Sequence, residues 1–336
     1  MIDLTQIKYK LIGIIADGSQ LDLTGTVEQL SWEEGEKELS MRISCTLANR
    51  LYDTDYVSNQ IKPNCILIIM ADTGSAITEV ARGKIADWEI SSSNSEDTLK
   101  LTAYDVLYDL RESNDHRYIS AGTGTKTALM SVFDDWGISI EEYSGPDISH
   151  AKTVFKNDSL SDIILDLLDA AKKQGAGQYM VRAVRDKVSI VPKGSNIDIY
   201  HLDEALHAET VKEKFSVAGM VTRVKVLATA TGKDDRQSIE AVVDGMVEYG
   251  IRQKIHVRSS EDSLDAAKAA AQEILDESGV PEQVITWAGP DIPFIRKGDK
   301  IHMKTRIHDG FFYIDAVRHN ADDKTMTLTI DARQIE

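Results

Sequence analysis

The sequence predicts an α+β protein that is mainly β, with two β regions flanking a small α/β region. Three observations predict it. Apolar residues alternate at period two from residue 7 to about 105, and do so again from about 196 to the end of the chain. Between those regions they recur at spacings of three and four, the period of a helix with one buried face. The 336 residues exceed what one typical core holds, so several domains are expected, at 1–112, 113–195 and 196–336.

In the first region, residues 7 to 16 read as a strand closed by the Asp17-Gly18 turn. Residues 37 to 47 place Leu39, Met41, Ile43, Cys45 and Leu47 at alternate positions, the pattern of a half-buried strand. The run from Cys65 to Met70 is apolar throughout and reads as a fully buried strand. Residues 83–90 and 98–103 flank a polar tip and read as a long hairpin. Antiparallel strands in this number argue for a barrel or a sandwich.

The middle region predicts two helices. The first starts at a Thr125 cap, carries Leu129, Val132, Phe133 and Trp136, and stops at Gly137. The second is capped by Ser159 with Asp162, buries Leu160, Ile163, Ile164, Leu167, Leu168 and Ala171, and ends at Gly175. A short hairpin follows, 178–184 and 187–191, turning at Arg185-Asp186. In the last region strands are expected at 220–227, 239–243, 253–257, 284–288, 300–305, 311–319 and 325–331. One helix starts at Ser259 or Ser260, carries Leu264, Ala267, Ala271 and Leu275, and closes at Gly279 and Pro281. The hairpins at 83–103 and 310–330 share a plan of strand, polar tip and alternating strand, a weak internal repeat. Any two hairpins share some of that plan.

Composition excludes more than it assigns. The formal charge is −17 and the aromatic content 6%. So acidic a chain is a poor nucleic-acid binder, because phosphate contacts need clustered Lys and Arg. Spread as it is, the charge also serves solubility. Cys45 and Cys65 lie in strand-like sequence and are expected as buried free thiols. The opening Met1-Ile2-Asp3-Leu4 has no basic region or apolar core of a signal peptide, and the run 65–71 is too short to span a bilayer.

The search for chemistry returns structural readings. The string Gly122-Thr123-Gly124-Thr125-Lys126-Thr127 lacks the glycine before the lysine that a phosphate loop needs, and reads as a turn and helix cap. His201 to Glu204 has metal-ligand residue types without the third and fourth ligands of a zinc site. His302, His308 and His319 fall in strands at irregular spacing and read as surface or hydrogen-bonded residues. The acid pairs Glu33-Glu34, Asp134-Asp135 and Asp322-Asp323 are what an acidic chain supplies, and the last sits at a hairpin tip. No catalytic, cofactor or metal residue is assigned. A carbohydrate-binding module would want exposed aromatics, yet Trp32, Trp88, Trp136 and Trp287 sit mostly in apolar patterns.

Taken in order along the chain, several strings resemble one family. Residues 103–114 (AYDVLYDLRESN) look like its close of a first barrel. Residues 124–138 look like its first middle helix, 155–191 its second helix and hairpin, and 312–330 its closing hairpin. The family is that of baseplate hubs of Bacillus defective-phage (PBSX-like) elements, related to late control protein D, to contractile-phage hubs and to the base of VgrG spikes.

The resemblance implies a non-enzymatic structural protein with two tail-tube-like β-barrels per chain. Three copies would then make a pseudo-hexameric ring between a sixfold tail tube and a threefold spike. The implied partners are further copies of the chain, the tail tube protein, the central spike, wedge and LysM-type tail proteins and the tape measure. DNA would only pass through the lumen, whose acidic lining would repel it. The implied location is the cytoplasm during assembly and then the particle's baseplate, with no stable membrane binding. A tail-associated peptidoglycan- or carbohydrate-active enzyme is the alternative.

Overall fold

In the computed structural model the described residues are 4–52, 55–93, 97–229, 237–260, 262–333 and 335. The first β region contains β1 (Lys8–Ile14), β2 (Gln20–Asp22), β3 (Val27–Glu34), β4 (Met41–Ala48), β5 (Leu51–Tyr52), β6 (Asp55–Tyr56), a one-turn α1 (Val57–Gln60), β7 (Ile66–Asp72), β8 (Ile77–Ser92) and β9 (Asp97–Tyr104). In β4 the expected alternation holds from Met41 on: Met41, Ile43, Cys45 and Leu47 are buried and their neighbours half-buried, while Leu39 lies before the strand and is half-buried. In β7 Leu67, Ile68 and Ile69 are all buried, which explains its unbroken apolar run. Both cysteines are free and buried, and burial pushes the Cys45 thiol up to about 12.

The middle region contains α2 (Tyr108–Arg111), β10 (Asn114–Ile119), α3 (Thr125–Asp135), β11 (Ile140–Tyr143), β12 (Thr153–Ser159), α4 (Leu160–Lys173), β13 (Tyr179–Val184) and β14 (Lys187–Pro192). The α4 cap is the expected one, with the Ser159 hydroxyl accepting from the Asp162 N–H at 3.0 Å. Its apolar stripe is buried with Phe133, Ile190 and their neighbours in one cluster. Each large side chain placed there contributes about 1.5–3 kcal/mol of transfer free energy. The α3 cap differs from expectation. Gly124 is the cap residue, and the Thr125 hydroxyl turns away to donate to the Ile148 carbonyl at 3.0 Å. Strands β10 and β12 were not expected; they pair as a two-stranded ribbon whose polar and charged positions hide the alternation.

The remainder contains β15 (Tyr200–Asp203), α5 (Glu204–His207), β16 (Thr210–Ser216), β17 (Arg223–Leu227), β18 (Ile239–Asp244), β19 (Gln253–Val257), α6 (Leu264–Ser278), β20 (Glu282–Pro290), β21 (Lys300–Lys304), β22 (Asp309–Asn320) and β23 (Thr325–Asp331). Helix α6 begins later than expected. Ser263, not Ser259 or Ser260, accepts from the Ala266 N–H at 3.1 Å and caps it. Residues 220–222 are not strand, because Val221 and Thr222 bond to the Ser278 and Arg252 carbonyls instead of a sheet partner.

The chain divides into two compact units, residues 1–211 with 286–336, and residues 212–285. In the first unit one long sheet runs β20-β23-β22-β3-β4-β9-β8-β7-β1-β2, with β21 and β15 branching from β22. The junction is β22 against β3, where Val317–Asn320 pair antiparallel with Glu34–Ser31. Strands from the two ends of the sequence therefore share one sheet. Among the described residues the pairing order has two ends and does not close into a barrel. In the second unit α6 covers one face of a three-stranded sheet ordered β18-β17-β19.

Candidate interaction surface

Two buried polar clusters fix the first unit around the β22–β3 junction. Glu34 ends β3 on its inward side, where alternation calls for an apolar residue. Arg296 meets it with two hydrogen bonds, Nη2 to Oε1 at 2.6 Å and Nε to Oε2 at 3.1 Å. Burial alone raises the Glu34 carboxyl, but the guanidinium outweighs it and holds the group below the usual carboxylate range. Arg296 also donates Nη1 to the Ala183 carbonyl at 2.8 Å, and Arg182 pairs with Asp299, so the network binds the middle region as well. Asp299 is raised by burial, against the attraction of Arg182.

The second cluster joins four segments. His319 on β22 stacks on Trp32 of β3, ring centroids 4.6 Å apart at 11°. Its Nδ1 contacts Asp291 Oδ1 at 2.6 Å and its Nε2 lies 3.0 Å from the Ile295 carbonyl. Tyr9 of β1 donates its hydroxyl to the other Asp291 oxygen and packs edge-on against Trp32. Every member except Tyr9 is buried, so these groups position strands and meet no solvent-borne ligand.

The surface of interest lies on residues 212–285. In β17, Val224 and Val226 point to α6 and pack with Val221, Ala267, Ala271 and Leu275. Lys225 and Leu227 must then point to the opposite face. The register places Val242 of β18 and Ile255 of β19 beside Lys225, and Ile239 and Val257 beside Leu227. A bulge between Val226 and Leu227 keeps Ile239 in that rung. Ile239 and Ile255 are each 59% exposed, Val242 and Val257 each 47%. The next rung holds an ion pair, Arg223 to Asp244 at 2.5 and 2.9 Å. The outer face is therefore an apolar patch with one lysine inside it and a charge pair at its margin. Contiguous exposed apolar patches larger than a few hundred Å², rimmed by polar residues, mark association surfaces on soluble proteins.

A family model described as YQBQ-like matches residues 44–332. The chain belongs to the YQBQ-like family. Curated protein sequences give no match. Among solved structures, this YQBQ-like chain is similar in fold to the 43 kDa tail protein of prophage MuSo2 from Shewanella oneidensis, with 13% identity, TM-score 0.69, and 96% and 98% of the two chains covered. It is similar to a tail protein from Neisseria meningitidis MC58, with 13% identity, TM-score 0.67, and 96% of each chain covered. It is also similar to the Escherichia coli c3393 protein, a type VI secretion component described as resembling the T4 tail proteins gp27 and gp5. Identity there is 11%, TM-score 0.54, and coverage 92% of this chain and 76% of that one.

The residues singled out in the sequence take structural roles in this YQBQ-like fold. The Gly122–Thr127 loop is filled by its own chain: the Lys126 N–H donates to Asp147 Oδ1 at 3.3 Å, and Thr125 Oγ1 lies 2.8 Å from His150 Nε2. Asp203 caps α5, accepting from the Ala205 N–H at 2.9 Å, and Glu204 accepts from the Arg306 N–H at 2.9 Å. His201 and His302 are cross-strand neighbours, with ring centroids 4.9 Å apart, and His308 packs edge-on against Phe312. Asp135 pairs with Arg117 at 2.6 Å, and Asp322 accepts from the Leu30 N–H at 2.9 Å. Trp32 and Trp287 are buried, Trp88 donates to the Ile61 carbonyl at 2.9 Å, and Trp136 is exposed. No group of three or more metal-ligating side chains is found among the described residues.

A cleft of about 380 Å³ is lined by Lys84, Tyr104, Asp105, Asp109, Arg185 and Asp186, among others. Its buried acid, Asp105, accepts backbone N–H bonds at both oxygens, from Met41 at 2.9 Å and Leu107 at 3.0 Å, and so ties β4 to the turn after β9. Burial pushes this carboxyl up to about 7, against those two donors. No helix is long and apolar enough to cross a membrane.

Proposed function

We propose that the chain is a structural, non-enzymatic hub of the baseplate of a contractile phage tail or tail-like particle. The observation that carries this is similarity of fold over 96% of the chain and 98% of a prophage tail protein, together with membership of the YQBQ-like family. The hub is a trimer. Its two β regions, bounded at 1–112 and 196–336 around the 113–195 region, each supply a tail-tube-like module. Six modules then form a ring that adapts a sixfold tube to a threefold spike.

Tube, spike, wedge, LysM-type and tape-measure proteins are its partners, and DNA passes through without binding. Three copies bring three times the −17 charge of one chain, which favours such passage. The protein is cytoplasmic until assembly places it in the particle's baseplate. Buried polar side chains that hold strands together support the same reading, as Glu34 does with Arg296 and Asp105 with the Met41 and Leu107 N–H groups.

The test is deletion of the gene from its prophage, with electron microscopy of induced particles. The expected result is loss of baseplates, restored by the gene in trans, and threefold density for the chain in complemented particles. Normal baseplates without the gene, or a chain absent from purified particles, would overturn the reading. Wall lysis by the purified chain would favour the enzyme instead.

A further inference from the structure

The outer face of the β18-β17-β19 sheet needs an occupant, and the residues on it restrict which. Among the described residues, eleven of the twenty-four large exposed apolar side chains lie in 212–285, a segment of 74 residues. The same segment has a core of six buried residues, two of them alanines. It is therefore built to gain burial from outside itself.

Charge selects the partner surface. Lys225 sits between Val242 and Ile255, with no acid in register on either neighbouring strand. The flanking acids of β18 do not supply one, because Asp244 is held by Arg223 and Glu240 by Arg258, each through both oxygens. Two copies meeting face to face through this patch would press Lys225 against Lys225, which disfavours a twofold contact. The covering surface must instead be apolar with a carboxylate near its centre. The chain itself, with 55 acidic against 38 basic residues, is rich in such carboxylates.

We infer that this face docks on a different, acidic surface of a second copy of the chain, a heterologous contact. Repeated around an axis, such a contact closes a ring where a face-to-face contact stops at two. The inference rests on the trimeric reading above and adds to it the surface used. Ile239, Val242, Ile255 and Val257 form the buried centre of the contact, and Lys225 finds a carboxylate of the neighbouring subunit.

The test uses the full chain in induced particles, with a photoreactive amino acid at position 255. Mass spectrometry of the cross-linked product is expected to show residue 255 joined to another copy of the chain, at an acidic segment. In parallel, sedimentation of the purified chain compares wild type with Ile255→Glu and Lys225→Glu. Each substitution is expected to weaken self-association at least about ten-fold, with circular dichroism unchanged because both positions lie outside the core. Cross-links to the tube or spike protein would overturn the second-copy assignment and leave the hub reading intact. Cross-links from residue 255 to residue 255 would overturn the heterologous geometry. Absence of the chain from particles would overturn the hub reading itself.

Discussion

The two compact units bury apolar surface in opposite ways. Residues 1–211 with 286–336 enclose their bulkiest core side chains: Trp32, Trp287, Phe133 and Phe312 are each at most 2% exposed, and the buried Glu34 is paired with Arg296. Residues 212–285 keep a thin core of valine, alanine and one leucine, and leave isoleucines and valines of similar size on the outside. The same residue types therefore serve two ends. In the first unit they stabilise the chain by itself, whereas in the second Ile239, Val242, Ile255 and Val257 stay exposed on the face opposite α6. A sheet with a helix on one face has its other face to spend on association.

That contrast can be broken at its strongest point first. Arg296→Met leaves Glu34 buried without its main counter-charge and is expected to cost about 3–5 kcal/mol in denaturant unfolding of the first unit. A loss below about 1 kcal/mol would mean that the network is solvated and does not tie the unit together.

Asp105 sharpens the same side of the comparison through pH. Its carboxyl, raised by burial to about 7, binds its proton more tightly folded than unfolded. Its contribution is complete below about pH 4 and is lost as pH rises through 7, a change on the order of a few kcal/mol at most. Asp105→Asn should therefore gain stability relative to wild type as pH rises from 4 to 8. Parallel stability curves for the two proteins would show that the two backbone donors keep Asp105 ionised throughout.

Within the second unit the two sheet faces can be set against each other directly. Val224→Ala, under α6, is expected to cost about 2 kcal/mol. Ile255→Ala, on the outer face of the adjacent strand, should change stability of the isolated chain by no more than about 0.5 kcal/mol. Amide hydrogen exchange in β17–β19 reads both. Equal costs would mean that the outer face is already covered within one chain.

Much of this was legible in the residues. The alternation of β4, the capped stripe of α4, the Arg185-Asp186 hairpin and the two free cysteines follow from period, caps and composition. The four closing strands β20 to β23 were placed within a few residues. Strand β3 was not read, because Glu33 and Glu34 end it and Glu34 takes an inward position that period two assigns to an apolar side chain. Only Arg296, 262 residues further on, makes that position tolerable. The clusters that organise the first unit share this property: Tyr9 finds Asp291, and Trp32 finds His319, across most of the chain.

By itself, then, the sequence determined the mainly β class of the fold and most of its local elements, since each depends on neighbours a few residues apart. Tertiary structure decided the rest. It joined the two end regions through β22 and β3, a pairing with no local signature. It also chose which face of β17 is covered. Val224 and Val226 alternate with Lys225 and Leu227, so the strand offers apolar groups to both sides, and only the position of α6 decides which side is core and which remains available for association.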